Sequence, residues 1–94
     1  MKKLEGKAAL ITGAAFGLGE GIAEVYAKYG ARLCLVDLDP AVEETAGRIR
    51  EATGAEIITY VGNVADKGQM LAAAAKMAEA FGRIDVCCCN AGVC

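Results

Sequence analysis

Short apolar runs alternate with amphipathic stretches along the whole chain. Lys7 to Thr12 reads as a first strand. From Gly17 to Tyr29, the apolar residues Leu18, Ile22, Val25, Tyr26 and Tyr29 recur at i, i+4, i+7, i+8 and i+11. That spacing predicts one stripe of an amphipathic helix, which Gly30 stops. Arg32 to Val36 reads as a second strand and delivers Asp37 at its C-terminal end. Asp39 suits the N-cap of a second helix and Pro40 its first position, with Glu43 and Glu44 where the helix dipole favours acids. Val42, Ala46 and Ile49 mark the buried face of that helix, and Gly54 ends it. Glu56 to Val61 is the third strand. Asp66 and Gln69 form a capping pair for a third helix, whose inner face carries Met70, Leu71, Ala74, Met77, Ala78 and Phe81 before Gly82 stops it. Ile84 to Cys89 is a fourth strand, apolar except at Asp85, as a strand buried on both faces should be.

The result is a βαβαβαβ order, and strands alternating with helices of this length predict an α/β fold with a parallel sheet. Right-handed crossovers give the doubly wound strand order 3-2-1-4, with helices one and two on one face and helix three on the other. The switch point falls between strands one and four. The loop at Gly13 and the loop at Asn90-Ala91-Gly92 are therefore expected side by side, at the crevice where such sheets bind ligands.

Composition narrows the field. Ninety-four residues are room for one small domain. With 55% hydrophobic and 23% charged residues the chain is globular. A net charge of −2 without a basic cluster argues against a nucleic-acid partner. The longest uncharged segment, Ala8 to Gly19, is too short and glycine-rich to span a membrane. Met1-Lys2-Lys3 precedes it in the manner of a secretory leader, but Glu5, Lys7 and the glycines interrupt any apolar core, so a cytoplasmic protein is expected. The five cysteines agree: four lie at 87, 88, 89 and 94, which is no disulfide framework.

The chemistry centres on Thr12-Gly13-Ala14-Ala15-Phe16-Gly17-Leu18-Gly19. Glycines are needed where a backbone turns with positive φ or where a phosphate approaches main-chain N–H groups. The helix that follows offers unpaired N–H donors and the positive end of its dipole to a pyrophosphate. Asp37 lies 18 residues beyond Gly19 at the tip of strand two. Alone it reads as a turn or helix-entry aspartate; behind a glycine loop it reads as the acceptor for both hydroxyls of an adenosine ribose. A carboxylate there repels a 2′-phosphate, and Phe16, Val36 and Leu38 around it are not basic, so NAD is expected in preference to NADP. A P-loop needs GxxxxGK[ST], and Glu20 follows Gly19 instead. A methyltransferase shares the glycine loop and Asp37 but does not predict Asn90-Ala91-Gly92.

Three motifs resemble those of the short-chain dehydrogenase/reductase family, in the family's order and over the whole chain. Residues 12–19 fit its TGxxxGxG pattern, Asn63-Val64 resembles its Asp-Val pair, and Asn90-Ala91-Gly92 resembles the tail of Asn-Asn-Ala-Gly. The resemblance implies a Rossmann-type fold over residues 1–94 as a single partial NAD(P)-binding domain. It implies that Gly13, Gly17 and Gly19 shape the pyrophosphate turn, with Phe16 and Leu18 inside it. Asp37 and Leu38 would then meet the ribose, Asn63 and Val64 the adenine, and Asn90, Ala91 and Gly92 would line the cofactor. Thr12 would tie the first loop to the fourth strand. Asn63 in place of Asp keeps one acceptor and gains a donor, and Cys89 replaces the first Asn of the Asn-Asn pair.

The family's catalytic set is a Ser, a Tyr and a Lys, the last two spaced YxxxK. This chain has no serine, and Gly30, Leu33 and Val64 stand four residues past Tyr26, Tyr29 and Tyr60. No catalytic residue is assigned. The chain resembles the amino-terminal, cofactor-binding half of a short-chain dehydrogenase, truncated before the rest of its sheet. The parent activity would interconvert a small alcohol and its carbonyl with NAD. The half alone is expected not to turn over; the alternatives are a non-catalytic module that binds NAD or another adenine nucleotide, or an unstable truncated product. A homo-oligomer is compatible with the resemblance, although the family's interface helices come later. Cys87, Cys88 and Cys89 alternate across a strand, so they do not converge on one metal ion and read as small buried hydrophobes, with Cys94 beyond them.

Overall fold

A computed structural model describes residues 3–63 and 65–89. Its elements are β1 (Ala8–Thr12), α1 (Gly17–Lys28), β2 (Arg32–Asp37), α2 (Val42–Thr53), β3 (Ile57–Val61), α3 (Lys67–Phe81) and β4 (Val86–Cys89). The four strands form one parallel sheet in the order β3-β2-β1-β4. β1 is central, with Leu10 opposite Cys34 on one side and Cys87 on the other. The expected Rossmann-type order is therefore present.

Strand alternation divides the core in two. Ala9, Ile11, Leu33 and Leu35 face α1 and α2, packing with Ala23, Ala27, Val42, Ala46 and Ile49. Ala8, Leu10, Cys34 and Val36 face α3, packing with Ala73, Met77 and Phe81. The Arg32 guanidinium sits 5.1 Å from the Phe81 ring centroid and helps hold the end of α3 to the start of β2.

Two helices are turned from the expected faces. α1 buries Gly19, Ala23 and Ala27, leaving Ile22 and Tyr26 at its flanks and Leu18 and Val25 exposed. The buried stripe lies one residue, about 100°, from the expected one. The physical reason is close approach: small residues let the α1 backbone lie against β1, and the larger apolar side chains are displaced outward. α3 is turned less: Met77 and Phe81 are buried and Met70 partly so, as expected, but Ala73 joins them in the core while Leu71 is 61% exposed and Ala78 is exposed.

Boundaries moved for identifiable reasons. Regular α2 begins at Val42, after a tight turn in which Asp39 Oδ1 accepts the Ala41 N–H at 2.9 Å. The expected N-cap at Asp39 and first helical position at Pro40 are therefore not found: Ala41 is the N-cap and has no side-chain capping bond, and Pro40 and Ala41 form a turn in which the Asp39 carbonyl accepts the Val42 N–H at 3.1 Å. α1 closes with two reverse bonds, Gly30 N–H to Ala27 O and Ala31 N–H to Tyr26 O, both 3.1 Å. β4 begins at Val86, and Asp85 just before it meets Ala8 through both backbone and side chain, its N–H donating to Ala8 O at 2.8 Å. Its Oδ2 accepts the Ala8 N–H at 2.8 Å, and its carboxylate takes a bidentate pair from Arg83. The Arg83 guanidinium and the Ala8 N–H together hold the Asp85 carboxyl below its ordinary value.

Candidate functional site

The site residues gather at the C-terminal ends of β1 and β2. β1 stops at Thr12, and Gly13 and Gly17 then take φ of 64° and 61°. Both values lie in the left-handed region, where a side chain is strained. At Gly17 a Cβ would meet nothing within 4 Å, so the dihedral alone demands glycine there. Gly19 serves differently, as part of the buried stripe that seats α1 on the sheet.

β2 carries Asp37 to the same place. Its carboxylate turns toward the glycine bend: Oδ2 accepts the Ala15 N–H at 2.9 Å, and Oδ1 accepts the Asp39 N–H at 2.9 Å. Each oxygen has a further lone pair for an external donor. The Ala14 N–H is spent on Val36 O at 3.3 Å. The turn's first amides therefore serve the protein. Phe16, the N-cap of α1, makes no side-chain capping bond. Such a helix start presents N–H donors to an anion. An acceptor pair beside a cluster of donors is complementary to a diol linked to an anionic group. Phe16 in the glycine loop and Leu38 directly after Asp37 are 60% and 69% exposed.

Thr12 is fully buried, and its hydroxyl donates to Cys88 O at 3.4 Å. It joins β1 to β4 as expected, and the two strands end side by side, Thr12 opposite Cys89. On the other flank, Gly62 N–H donates to Asp37 O at 2.9 Å, which places Asn63 next to the β2 tip. Asn63 Oδ1 accepts the Ala65 N–H at 2.9 Å. Gln69 Oε1 accepts the Asn63 N–H at 2.7 Å, while Asp66 Oδ1 caps Gln69 N–H at 3.1 Å. The capping pair thus also holds the Asn63 loop. A Cβ on buried Gly62 would come within 2.5 Å of the Tyr60 ring and 2.7 Å of Gln69 Oε1, so a side chain there would push both aside. Val64, Asn90, Ala91, Gly92 and Cys94 lie outside the described residues.

Beyond Ala15 a cleft of about 430 Å³ opens between the N-terminal halves of α1 and α2, lined by Phe16, Glu20, Glu44, Thr45 and Arg48. Arg48 pairs there with Glu20, and with Glu24 at 3.2 Å. The two carboxylates raise an already high guanidinium pKa. Thr45 escaped the sequence reading. Its hydroxyl, 5% exposed, donates to Ala15 O at 2.8 Å. The available signal was a polar residue on the otherwise apolar 42/46/49 stripe of α2.

The cysteine run follows the pleat. Cys88 faces the α1 side, its Sγ 3.7 Å from the Tyr26 hydroxyl, and Cys87 is exposed on the opposite face. Among the described residues, no group of three or more His, Cys, Asp or Glu could hold a metal ion, and no helix is long and apolar enough to cross a membrane.

A parallel, doubly wound sheet with a glycine turn after β1 and an acid at the tip of β2 defines a Rossmann-type nucleotide-binding architecture. The short chain dehydrogenase family profile matches residues 7–94, and the chain belongs to that family. It is 45% identical over 94 residues to Oxidoreductase UcpA of Escherichia coli K12, and 44% identical over 92 residues to D-threitol dehydrogenase of Mycolicibacterium smegmatis. It covers all or nearly all of itself in those matches but only 35% of either relative. A Burkholderia phymatum short chain dehydrogenase/reductase solved with NAD superposes with a TM-score of 0.86 at 39% identity, over 93% of this chain and 31% of that one. L-sorbose reductase of Gluconobacter frateurii, complexed with NADPH and L-sorbose, gives 0.86 at 31% identity, over 92% and 33%. The chain thus spans about a third of the length of these relatives.

Proposed function

We propose that these 94 residues are the cofactor-holding part of an NAD-dependent short-chain oxidoreductase that interconverts a small alcohol and its carbonyl. When bound, NAD supplies the hydride-accepting ring, and every role assigned here concerns holding it. Asp37 receives the two hydroxyls of the adenosine ribose on its remaining lone pairs. The N–H groups at Phe16, Gly17 and Leu18 meet the pyrophosphate, in a turn shaped by Gly13 and Gly17, while Gly19 seats the start of α1 on the sheet. Phe16 and Leu38 flank the adenosine, Asn63 and Val64 meet the adenine, and Asn90, Ala91 and Gly92 line the remainder of the cofactor. The observation that carries this reading is the Asp37 carboxylate turned onto the glycine bend, 2.9 Å from the Ala15 N–H.

NAD is preferred to NADP on electrostatic grounds. A 2′-phosphate beside Asp37 meets a like charge. Arg48, the cation lining the adjacent cleft, is already compensated by Glu20 and Glu24. Relatives solved with NAD and with NADPH support a nicotinamide cofactor in general. Cytoplasmic residence and a single partial cofactor-binding domain over residues 1–94 are part of the same proposal.

Turnover by this chain alone is not expected, since it has neither a serine nor a YxxxK pair. The test is calorimetric titration of the 94-residue protein with NAD, ADP and NADP. Heat with NAD and ADP, weaker with NADP, is the expected result. No heat with NAD or ADP refutes the binding role, and steady NADH production from an alcohol refutes the inactivity.

A further inference from the structure

Ala15 is held at both of its backbone polar groups by side chains from different elements. Asp37 at the β2 tip accepts its N–H, and Thr45 on α2 donates to its carbonyl. The Thr45 bond is not the default for a helical threonine, which usually turns its hydroxyl to the carbonyl one turn back. Thr53, on the same helix, does that, donating to Ile49 O at 2.8 Å. Thr45 instead reaches out of its helix to a loop 30 residues away, from a buried position.

The consequence follows from peptide planarity. The Ala15 carbonyl and the Phe16 N–H belong to one trans peptide unit and point in opposite directions. Fixing the carbonyl on Thr45 therefore fixes the Phe16 N–H, directed away from α2. Phe16 is the N-cap of α1, and Gly17, at φ 61°, follows it. One hydroxyl thus sets the direction from which the chain enters the helix start.

We propose that Thr45 is a positioning residue for the phosphates of the bound nucleotide. It holds the Ala15–Phe16 peptide so that the α1 N-terminus presents its amides to the pyrophosphate. The inference rests on the cofactor reading above, and the experiment separates the two.

Thr45→Val keeps the shape and removes the hydroxyl; Thr45→Ser keeps the hydroxyl. Affinities of wild type and both variants are measured for ADP and for adenosine, with melting temperatures alongside, and the amide cross-peaks of Ala15, Phe16 and Gly17 are followed by NMR. The expected result is about a tenfold loss of ADP affinity in Thr45→Val, because an acceptor that loses its donor leaves the peptide free to turn. Adenosine, lacking phosphate, changes less than twofold by the same reasoning. Thr45→Ser restores both the ADP affinity and the wild-type cross-peaks. Equal losses for ADP and adenosine, or failure of serine to rescue, would show that Thr45 only packs and would overturn the proposal. Wild-type protein that binds neither compound overturns the cofactor reading; unmoved cross-peaks in Thr45→Val overturn the clamp, whatever wild type binds.

Discussion

Asp37→Asn isolates the charge at the centre of the site. The carboxylate has two inward bonds, to the Ala15 and Asp39 N–H groups, and two outward acceptor positions. An asparagine has one oxygen. That oxygen goes to Ala15, whose N–H is partly buried, while the exposed Asp39 N–H turns to water. The fold therefore loses little, about 1 kcal/mol or less. The ribose loses more. Charge-assisted hydrogen bonds contribute about 1.5–3 kcal/mol and neutral ones about 0.5–1.5, so exchanging one kind for the other costs about 1–2 kcal/mol. NAD affinity should fall about 5- to 30-fold. NADP moves the other way. Two unit charges 4 Å apart interact by about 4 kcal/mol at an effective dielectric constant of 20, so removing the carboxylate relieves a 2′-phosphate. Much of that is screened in an open site, and the gain should shrink as salt rises from about 10 mM to 0.15 M. Titration calorimetry of both proteins with both cofactors at the two salt concentrations reads all three effects. An NAD affinity changed less than twofold, with NADP unmoved, would refute the assignment of Asp37 to the ribose.

Other perturbations test the frame that holds the site. Gly17→Ala should destabilise the protein by about 1–2 kcal/mol, the cost of a left-handed residue with a side chain, although a Cβ there has open space; a denaturant midpoint equal to wild type would contradict this. Met77→Ala should cost about 2–5 kcal/mol while Leu71→Ala costs under about 0.5; large losses at both, which the expected face carrying both residues would give, would contradict the observed packing. Burial pushes the Cys34 thiol up to about 11. At pH 8 it is then about one part in a thousand thiolate, so a thiol reagent should label exposed Cys87 in the native protein and Cys34 only on unfolding. The Asp85 carboxyl titrates below its ordinary 3.8 in the folded chain, so its stabilising contribution is complete above that value and is lost as pH falls through the depressed folded one. Acid titration of stability in Asp85→Asn should be flatter than wild type over that window.

The strand order was legible because it depends on few things: the alternation of element types, right-handed crossovers and the position of the glycines. Asp37 was legible for the same reason, as the last residue of a β2 whose length the pattern bounds. The inward face of α2 was legible too, since Val42, Ala46 and Ile49 are buried as expected; what the pattern hid was the inward face of α1 and part of that of α3. Periodicity marks Leu18 and Val25 as the inner stripe of α1, but burial of a helix against a central strand rewards small residues as well as apolar ones, and Gly19, Ala23 and Ala27 win. The same competition put Ala73 in the core and Leu71 outside it. An apolar Ile84 looks like strand in the sequence, but β4 starts only at Val86: at Asp85 the backbone N–H still donates to Ala8 O, while the side chain, not the backbone, accepts the Ala8 N–H. Thr45 was hidden because a helical threonine has a local partner by default, and nothing in its neighbours names the loop 30 residues away.

On the proposed cofactor reading, the division of donors within the turn suits binding over mere turning. A glycine-rich loop free in solution loses conformational entropy when it closes on a ligand, and that loss is subtracted from affinity. Here Ala14 N–H, Ala15 N–H and Ala15 O are engaged before any ligand arrives, by Val36, Asp37 and Thr45. Those anchors come from β2 and α2, elements that share the larger core with α1. The bend is therefore braced by the packed sheet rather than by the molecule it receives, and the amides that follow reach a ligand already aligned. Asp37 belongs to both sides of this division, since it braces Ala15 with one lone pair and keeps others for an external donor. Its two functions then separate experimentally: Asp37→Asn should spare the bend and weaken the ribose, whereas Thr45→Val should spare the ribose and loosen the bend. Because both side chains hold Ala15, the double variant measures their coupling: nearly additive losses for ADP would mean that Asp37→Asn leaves the Ala15 bond intact, and strong non-additivity would mean that the carboxylate grips the ligand only through the loop.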